Sequence, residues 1–165
     1  ASGSLGVMGV GIGYAIGTQI ANRDKKVICI DGDGSFNMTL TDLQTIKRYN
    51  LPIKIVIMND GELGMVKVWE KLFFNERYTA TDNPNNPSYT DLAESYGIQS
   101  MYCDNKENLE CIVRKLMETT GSVLCEFKVK SEECYPLVPP GNELDDMILY
   151  GHGDDNINVR NEVPS

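Results

Sequence analysis

Two short β-branched runs, each ending in a polar glycine turn, limit what this chain can fold into more than any other feature. Lys26-Val-Ile-Cys-Ile-Asp31 stops at Gly32-Asp33-Gly34, and Ile53-Lys-Ile-Val-Ile-Met-Asn59 stops at Asn59-Asp60-Gly61. Short, nearly continuous apolar runs read as strands buried on both faces. Twenty-four residues separate Gly34 from Asn59, room for a loop, a helix and the second strand. The spacing predicts that helix over about 39–49, with Leu40, Leu43 and Ile46 on one face and Thr39-x-x-Asp42 as a capping box; Leu51-Pro52 ends it. A strand, a crossing helix and a second strand return the chain parallel to its start.

The alternation continues. A turn-rich loop spans Thr79 to Pro87, and a helix is expected from about Ser88 to Tyr96, followed by a strand over Gln99–Cys103. In 105–118, Leu109, Ile112, Val113, Leu116 and Met117 recur at helical spacing, Gly121 closes the segment, and Val123–Val129 reads as a last strand. The expected fold class is therefore α/β: a doubly wound, mostly parallel sheet with helices on both faces. Ahead of it, Leu5–Ala21 is apolar but carries Gly6, Gly9, Gly11, Gly13 and Gly17. Each glycine costs a helix about 1 kcal/mol, so this many imply close approach of another backbone or a ligand. Residues 1–148 are expected to form one domain, and 149–165 a polar tail with a tendency to disorder.

At 165 residues the chain can bury one core without a metal or disulfide staple. Acids outnumber bases 24 to 15, a net charge of −9, which argues against nonspecific nucleic-acid binding. No apolar run is long enough to span a membrane. Five cysteines, Cys29, Cys103, Cys111, Cys125 and Cys134, form no Cys-x-x-Cys pair and read as reduced, packed thiols of an intracellular compartment. His152, the single histidine, falls in the polar tail and reads as a solvated bystander. The chain opens at Ala1 without an initiator methionine, so it is expected to start within a longer protein, with its sheet truncated on the N-terminal side.

Ligands of such sheets bind at the carboxyl ends of the strands, where both polar turns fall. Asp33 and Asp60 would face each other across neighbouring strand ends. Magnesium takes near-octahedral oxygen ligands and is usually held by one or two carboxylates plus substrate phosphates. Glycines beside Asp33 let backbone N–H groups approach a phosphate, and the helix near Thr39 is expected to turn its positive end toward it. The pair reads as a magnesium–diphosphate anchor. Two competing motifs fail. Asp31-x-Asp33-x-Ser35 opens like a calcium loop, but Phe36 stands at its glycine position and Asp42 at its closing glutamate. Gly9-x-Gly11 is followed by Tyr14 where a dinucleotide fingerprint needs its third small residue.

Gly32-Asp33-Gly34, the spacer and Asn59-Asp60 resemble the thiamine diphosphate motif, GDG followed at similar distance by NN. Ser4-Leu-Gly-Val-Met-Gly9, Leu63-Gly-Met-Val-x-x-Trp69 and Val138-Pro-Pro-Gly141-x-x-Leu144-Asp145 resemble segments of acetolactate synthase (acetohydroxyacid synthase) large subunits. The likeness runs from Ser2 to about Ile148. It implies the diphosphate-binding domain of an enzyme that decarboxylates pyruvate and condenses the product with a second 2-keto acid, in branched-chain amino-acid biosynthesis. By this resemblance Gly6 and Met8 contact and prop the cofactor, and Gly32, Asp33, Gly34 and Ser35 cradle its diphosphate. Asp33, Asp60 and the backbone carbonyl of Glu62 hold Mg2+. Met65 lies against the cofactor, and Met65 and Trp69 line the substrate pocket. Asp60 departs from the family's second Asn.

No catalytic residue of its own is expected in this chain. The glutamate that activates thiamine diphosphate belongs to the family's pyrimidine-binding domain, and FAD to its middle domain. Partners implied are 2-keto acids, the pyrimidine-binding domain of the same chain or a second subunit, and a second copy in a homo-oligomer. Two other readings stay open: another thiamine diphosphate-dependent 2-keto acid decarboxylase or oxidase, and a free-standing, non-catalytic binding module. Trp69 and the Val138–Gly141 segment speak against the first of these.

Overall fold

The structure, a computed structural model, describes residues 5–132, 137–139 and 141–147. Ser4, Cys134, Pro140, Ile148 and the tail with His152 lie outside the described residues. The chain divides into two compact units. One comprises residues 1–62 and 83–130, the other residues 63–82 and the described residues from Ser131 onward.

The first unit is built on four parallel strands: β1 (Ile28–Gly32), β2 (Lys54–Asn59), β3 (Gln99–Cys103) and β4 (Val123–Lys128), in the spatial order β1-β2-β4-β3. The register pairs Ile30 with Val56, Val56 with Cys125 and Met101 with Cys125, so these side chains share one face. Cys29, Ile55 and Leu124 share the other. Helices α1 (Gly11–Ala21), α2 (Asp33–Asn37), α3 (Leu43–Arg48) and α5 (Tyr89–Ser95) pack on this second face. Their core residues are Ile12, Phe36, Ile46, Tyr89 and Ala93, closed against Cys29, Ile55, Ile57 and Leu124.

Helix α6 (Leu109–Glu118) covers the opposite face, with Leu116 and Ile112 on Val123, Cys125 and Phe127. The handedness of crossovers explains the division. From β1 through β2 to β3 the chain steps across the sheet in one direction; from β3 to β4 it steps back. A right-handed connection then places α6 on the other side. The doubly wound parallel sheet expected from sequence is thus the fold. On the α6 side, the β1 end is left open to solvent among the described residues: Ile28, Ile30 and Met58 are exposed.

One buried charge belongs to this architecture. Lys54, set in an otherwise apolar strand, donates from Nζ to the carbonyls of Thr119 (2.5 Å) and Gly121 (2.7 Å), capping the end of α6. Burial, and then the charge of Lys26, lower its ammonium pKa. The sequence expectations differ in two places. The helix over 39–49 is a 3-10 turn, Leu40–Asp42, followed by the short α3. Its capping box does not form, because the Thr39 hydroxyl donates instead to Gly9 O at 2.8 Å. The glycine-rich first segment is helical from Gly11. Close approach is real at Gly11, where a Cβ would lie 2.5 Å from Asp31 Oδ2, and at Gly9 (φ +79°), 3.1 Å from Met38 Cβ; Gly13 and Gly17 face open space. Among the described residues no helix is long and apolar enough to cross a membrane.

Candidate functional site

Asp33 is the first residue of α2 and 1% exposed, so its carboxylate sits at the carboxyl end of β1, inside the fold. Asp60 follows the last residue of β2. Because β1 and β2 pair in register up to Gly32 and Met58, the two strand ends lie side by side. The Asp33 and Asp60 carboxyl groups are close enough to act on each other electrostatically. Burial, above all, raises the Asp60 pKa over the usual carboxylate range. The negative charges of Asp33 and Glu62 push the same way, and the Glu62 N–H donating to Asp60 Oδ1 at 3.0 Å opposes them. Two acids held this close favour a cation between them. Among the described residues no three acidic, histidine or cysteine groups converge to form an all-protein cage. The donor set fits magnesium, which draws its remaining ligands from phosphate and water.

The backbone around Asp33 is arranged for an anion. Gly32 is extended (φ −82°, ψ 156°) and hands the chain directly into α2, whose first N–H groups have no partner within the helix. This is a correction to the sequence expectation: the helix that starts at the strand end is α2, and the one beyond Thr39 is a turn farther on. Gly34 is buried. The Ser35 hydroxyl accepts from Gly9 N–H at 2.9 Å, which fastens the Gly6–Gly9 segment to α2. Gly6 in that segment has φ +60° and Met8 is partly exposed, so both remain accessible.

Asp33 also belongs to a network that motif reading did not find. Tyr89 Oη donates to Asn37 Oδ1 (3.0 Å), and Asn37 Nδ2 donates to Asn86 Oδ1 (2.9 Å). Asn86 Nδ2 then donates to Asp33 Oδ2 (2.5 Å) and more weakly to Asn59 Oδ1 (3.3 Å). Asn59 Nδ2 in turn donates to Glu126 Oε1 at 2.7 Å. The chain of amides ends on two carboxylates, Asp33 and Glu126. Burial, then the charge of Asp33, pushes the Tyr89 phenol upward, with Glu126 adding to it and Asn37 opposing. Glu126, a charge in the middle of an apolar strand, was a visible signal. Asn86 carried none beyond its place in a turn-rich loop.

In the second unit, α4 (Gly64–Phe73) presents Met65 and Trp69 one turn apart. Together with Val66, Glu70, Phe74, Arg77 and Thr79 they line a mainly apolar cleft of about 670 Å³. Trp69 meets Phe73 edge to face at 5.4 Å. Glu70 is held by the Thr79 N–H (3.1 Å) and the Thr81 hydroxyl (3.2 Å), and Arg77 Nε donates to Phe74 O. Val68 is the buried residue of α4, while Met65 is half exposed.

A doubly wound parallel sheet with paired acids and a glycine-flanked helix start at adjoining strand ends defines an α/β domain of the cofactor-binding kind. The chain belongs to the thiamine pyrophosphate enzyme family, as its C-terminal TPP binding domain, whose family model matches residues 1–127. It is 42% identical over 149 residues to the acetolactate synthase large subunit of Porphyra purpurea, covering 89% of this chain and 25% of that protein. It is 39% identical over 148 residues to the acetolactate synthase isozyme 2 large subunit of Escherichia coli (strain K12), covering 89% and 27%. The mitochondrial acetolactate synthase catalytic subunit of Saccharomyces cerevisiae is 42% identical over 150 residues, covering 90% and 22%. The chain thus spans about a quarter of the length of these relatives.

Proposed function

We propose that residues 1–148 are the diphosphate- and magnesium-anchoring domain of an acetolactate synthase-like enzyme acting on pyruvate and a second 2-keto acid. The observation that carries this reading is the facing pair of carboxyl groups, Asp33 and Asp60, at adjoining strand ends. In it, Asp33, Asp60 and the Glu62 carbonyl hold Mg2+. Gly32, Gly34 and Ser35 offer backbone N–H groups to the diphosphate. Gly6, Met8 and Met65 contact the rest of thiamine diphosphate, and Met65 and Trp69 line the substrate pocket.

When bound, the cofactor supplies the carbon nucleophile and electron sink that this chain's side chains lack. The chain's own part is to bind and to orient. Asp33 neutralises the cation's charge from a buried position, and the first N–H groups of α2 meet the phosphate oxygens. Activation of the cofactor and binding of FAD fall to other domains of the parent protein. A homo-oligomer is also part of this reading; sedimentation of the parent protein as a monomer would remove it.

A chimera tests the enzyme assignment. This chain replaces the matching segment of the Escherichia coli isozyme 2 large subunit, and product is assayed with pyruvate, thiamine diphosphate and Mg2+. Acetolactate is expected from the chimera and none from the 165-residue chain alone. A folded chimera that binds cofactor yet releases only acetaldehyde would favour a decarboxylase.

A further inference from the structure

Asp33 has two carboxylate oxygens, and the fold has already engaged one. Asn86 Nδ2 donates to Oδ2, and the orientation of that amide is fixed from behind. Its Oδ1 accepts from Asn37, and Asn37 accepts from Tyr89. Tyr89 is fully buried and packs edge to face on Phe36 of α2 at 5.6 Å. An Asn86 flipped about its amide would turn a carbonyl oxygen toward a carboxylate and lose all three contacts. Pro87 further confines Asn86 to extended backbone.

We propose that Asn86 is a positioning residue which selects the cation: by donating to Oδ2 it disfavours two-oxygen binding by Asp33, and so favours Mg2+ over Ca2+. The proposal rests on the magnesium reading above. Mg2+ demands near-octahedral geometry with single-oxygen ligands at about 2.0–2.1 Å and few protein carboxylates. Ca2+ accepts six to eight oxygens at roughly 2.3–2.6 Å and gains most from carboxylates that bind through both oxygens. A carboxylate with one oxygen held by an amide donor chelates less readily, because that oxygen's lone pair and orientation are already engaged. Tyr89, Asn37 and Asn86 therefore act through Asp33 rather than on any substrate.

The test uses the whole chain with thiamine diphosphate and Mn2+ as a paramagnetic probe. Mg2+ or Ca2+ is titrated in, and release of Mn2+ is read by electron paramagnetic resonance. The ratio of the two displacement constants is the measured quantity. A purely structural role would weaken both ions together and leave that ratio unmoved. Asn86→Ala is expected to move the ratio toward Ca2+ by about tenfold, the scale of one hydrogen bond to a charged group. Tyr89→Phe, which removes a single hydroxyl and leaves the direct donor in place, should move it the same way by less. An unchanged ratio in a folded Asn86→Ala protein that still binds metal overturns the proposal. So does an unchanged Tyr89→Phe ratio, should Asn86→Ala fail to fold. If the unsubstituted chain takes up none of the three ions, the magnesium reading itself fails and the proposal falls with it.

Discussion

At Asp60 a second carboxylate stands where the resemblance supplies an amide. A charged oxygen is a harder ligand for Mg2+, but it adds a negative charge beside Asp33 and an anionic diphosphate. Two unit charges about 4 Å apart interact by ~4 kcal/mol at an effective dielectric of roughly 20. The raised Asp60 pKa is the same repulsion and burial seen from the proton's side. Cofactor binding should therefore depend more strictly on metal than it would with an amide. Asp60→Asn is expected to retain thiamine diphosphate affinity and to need no more Mg2+ for it, measured as affinity against free Mg2+. Loss of all magnesium binding in that variant would contradict the account. Trp69, half-buried on the cleft wall, should govern the choice of second substrate. In the chimera, Trp69→Leu should alter the product ratio from pyruvate and 2-ketobutyrate more than cofactor affinity. An unchanged ratio with a lowered melting temperature would make it a packing residue.

Among the elements, α1 separates two kinds of glycine. Gly11→Ala would force a Cβ to within 2.5 Å of Asp31 Oδ2, whereas nothing lies within 4 Å of a Cβ at Gly17. Thermal melts should show Gly11→Ala destabilised and Gly17→Ala stabilised by up to about 1 kcal/mol. Equal effects would mean that the helix does not sit against β1 as described. In α6, Leu116 is 3% exposed and Val113 40%, so Leu116→Ala should cost ~2–5 kcal/mol and Val113→Ala far less. The strands hold the buried thiols, Cys29, Cys103 and Cys125, whereas Cys111 on α6 is exposed rather than packed as the sequence suggests. Burial raises Cys29 to about 11 and Cys125 to about 12 from an ordinary value of 9.0. A raised folded-state pKa contributes stability that is complete below the unfolded value and lost as pH climbs through the folded one. The melting temperature should therefore fall from pH 9 toward 11–12, and a Cys29→Ala/Cys125→Ala protein should show a shallower fall. Below pH 9 the exposed Cys111 should be alkylated well before either buried thiol.

Over the whole molecule, the parallel α/β class was legible because local signals agreed with the global fold. The β-branched runs ending in glycine turns became β1 and β2, and the 99–103 and 123–129 segments became β3 and β4. The periodicity of 105–118 found α6 but overstated its buried face, since Leu109 and Val113 stay exposed. Asp33 and Asp60 were legible as a pair because a βαβ crossover fixes which strand ends adjoin. Asn86 was not: its contacts with Asp33 and Asn59 cross 53 and 27 residues of sequence. No local pattern encodes a hydrogen bond made by a loop folding back over two strands. Thr39 was misread for the same reason, its hydroxyl being claimed by Gly9, 30 residues earlier, rather than by the turn it begins.

If Asp33 anchors thiamine diphosphate through a divalent cation, the cofactor needs that cation to bind. Calorimetric titration of the cofactor into the chain, with Mg2+ and with a chelator, tests it most directly. Saturable binding that requires Mg2+ is expected, and it should disappear in Asp33→Ala while the circular dichroism of that variant is retained. Binding of equal strength in chelator, or undiminished in a folded Asp33→Ala chain, would contradict it.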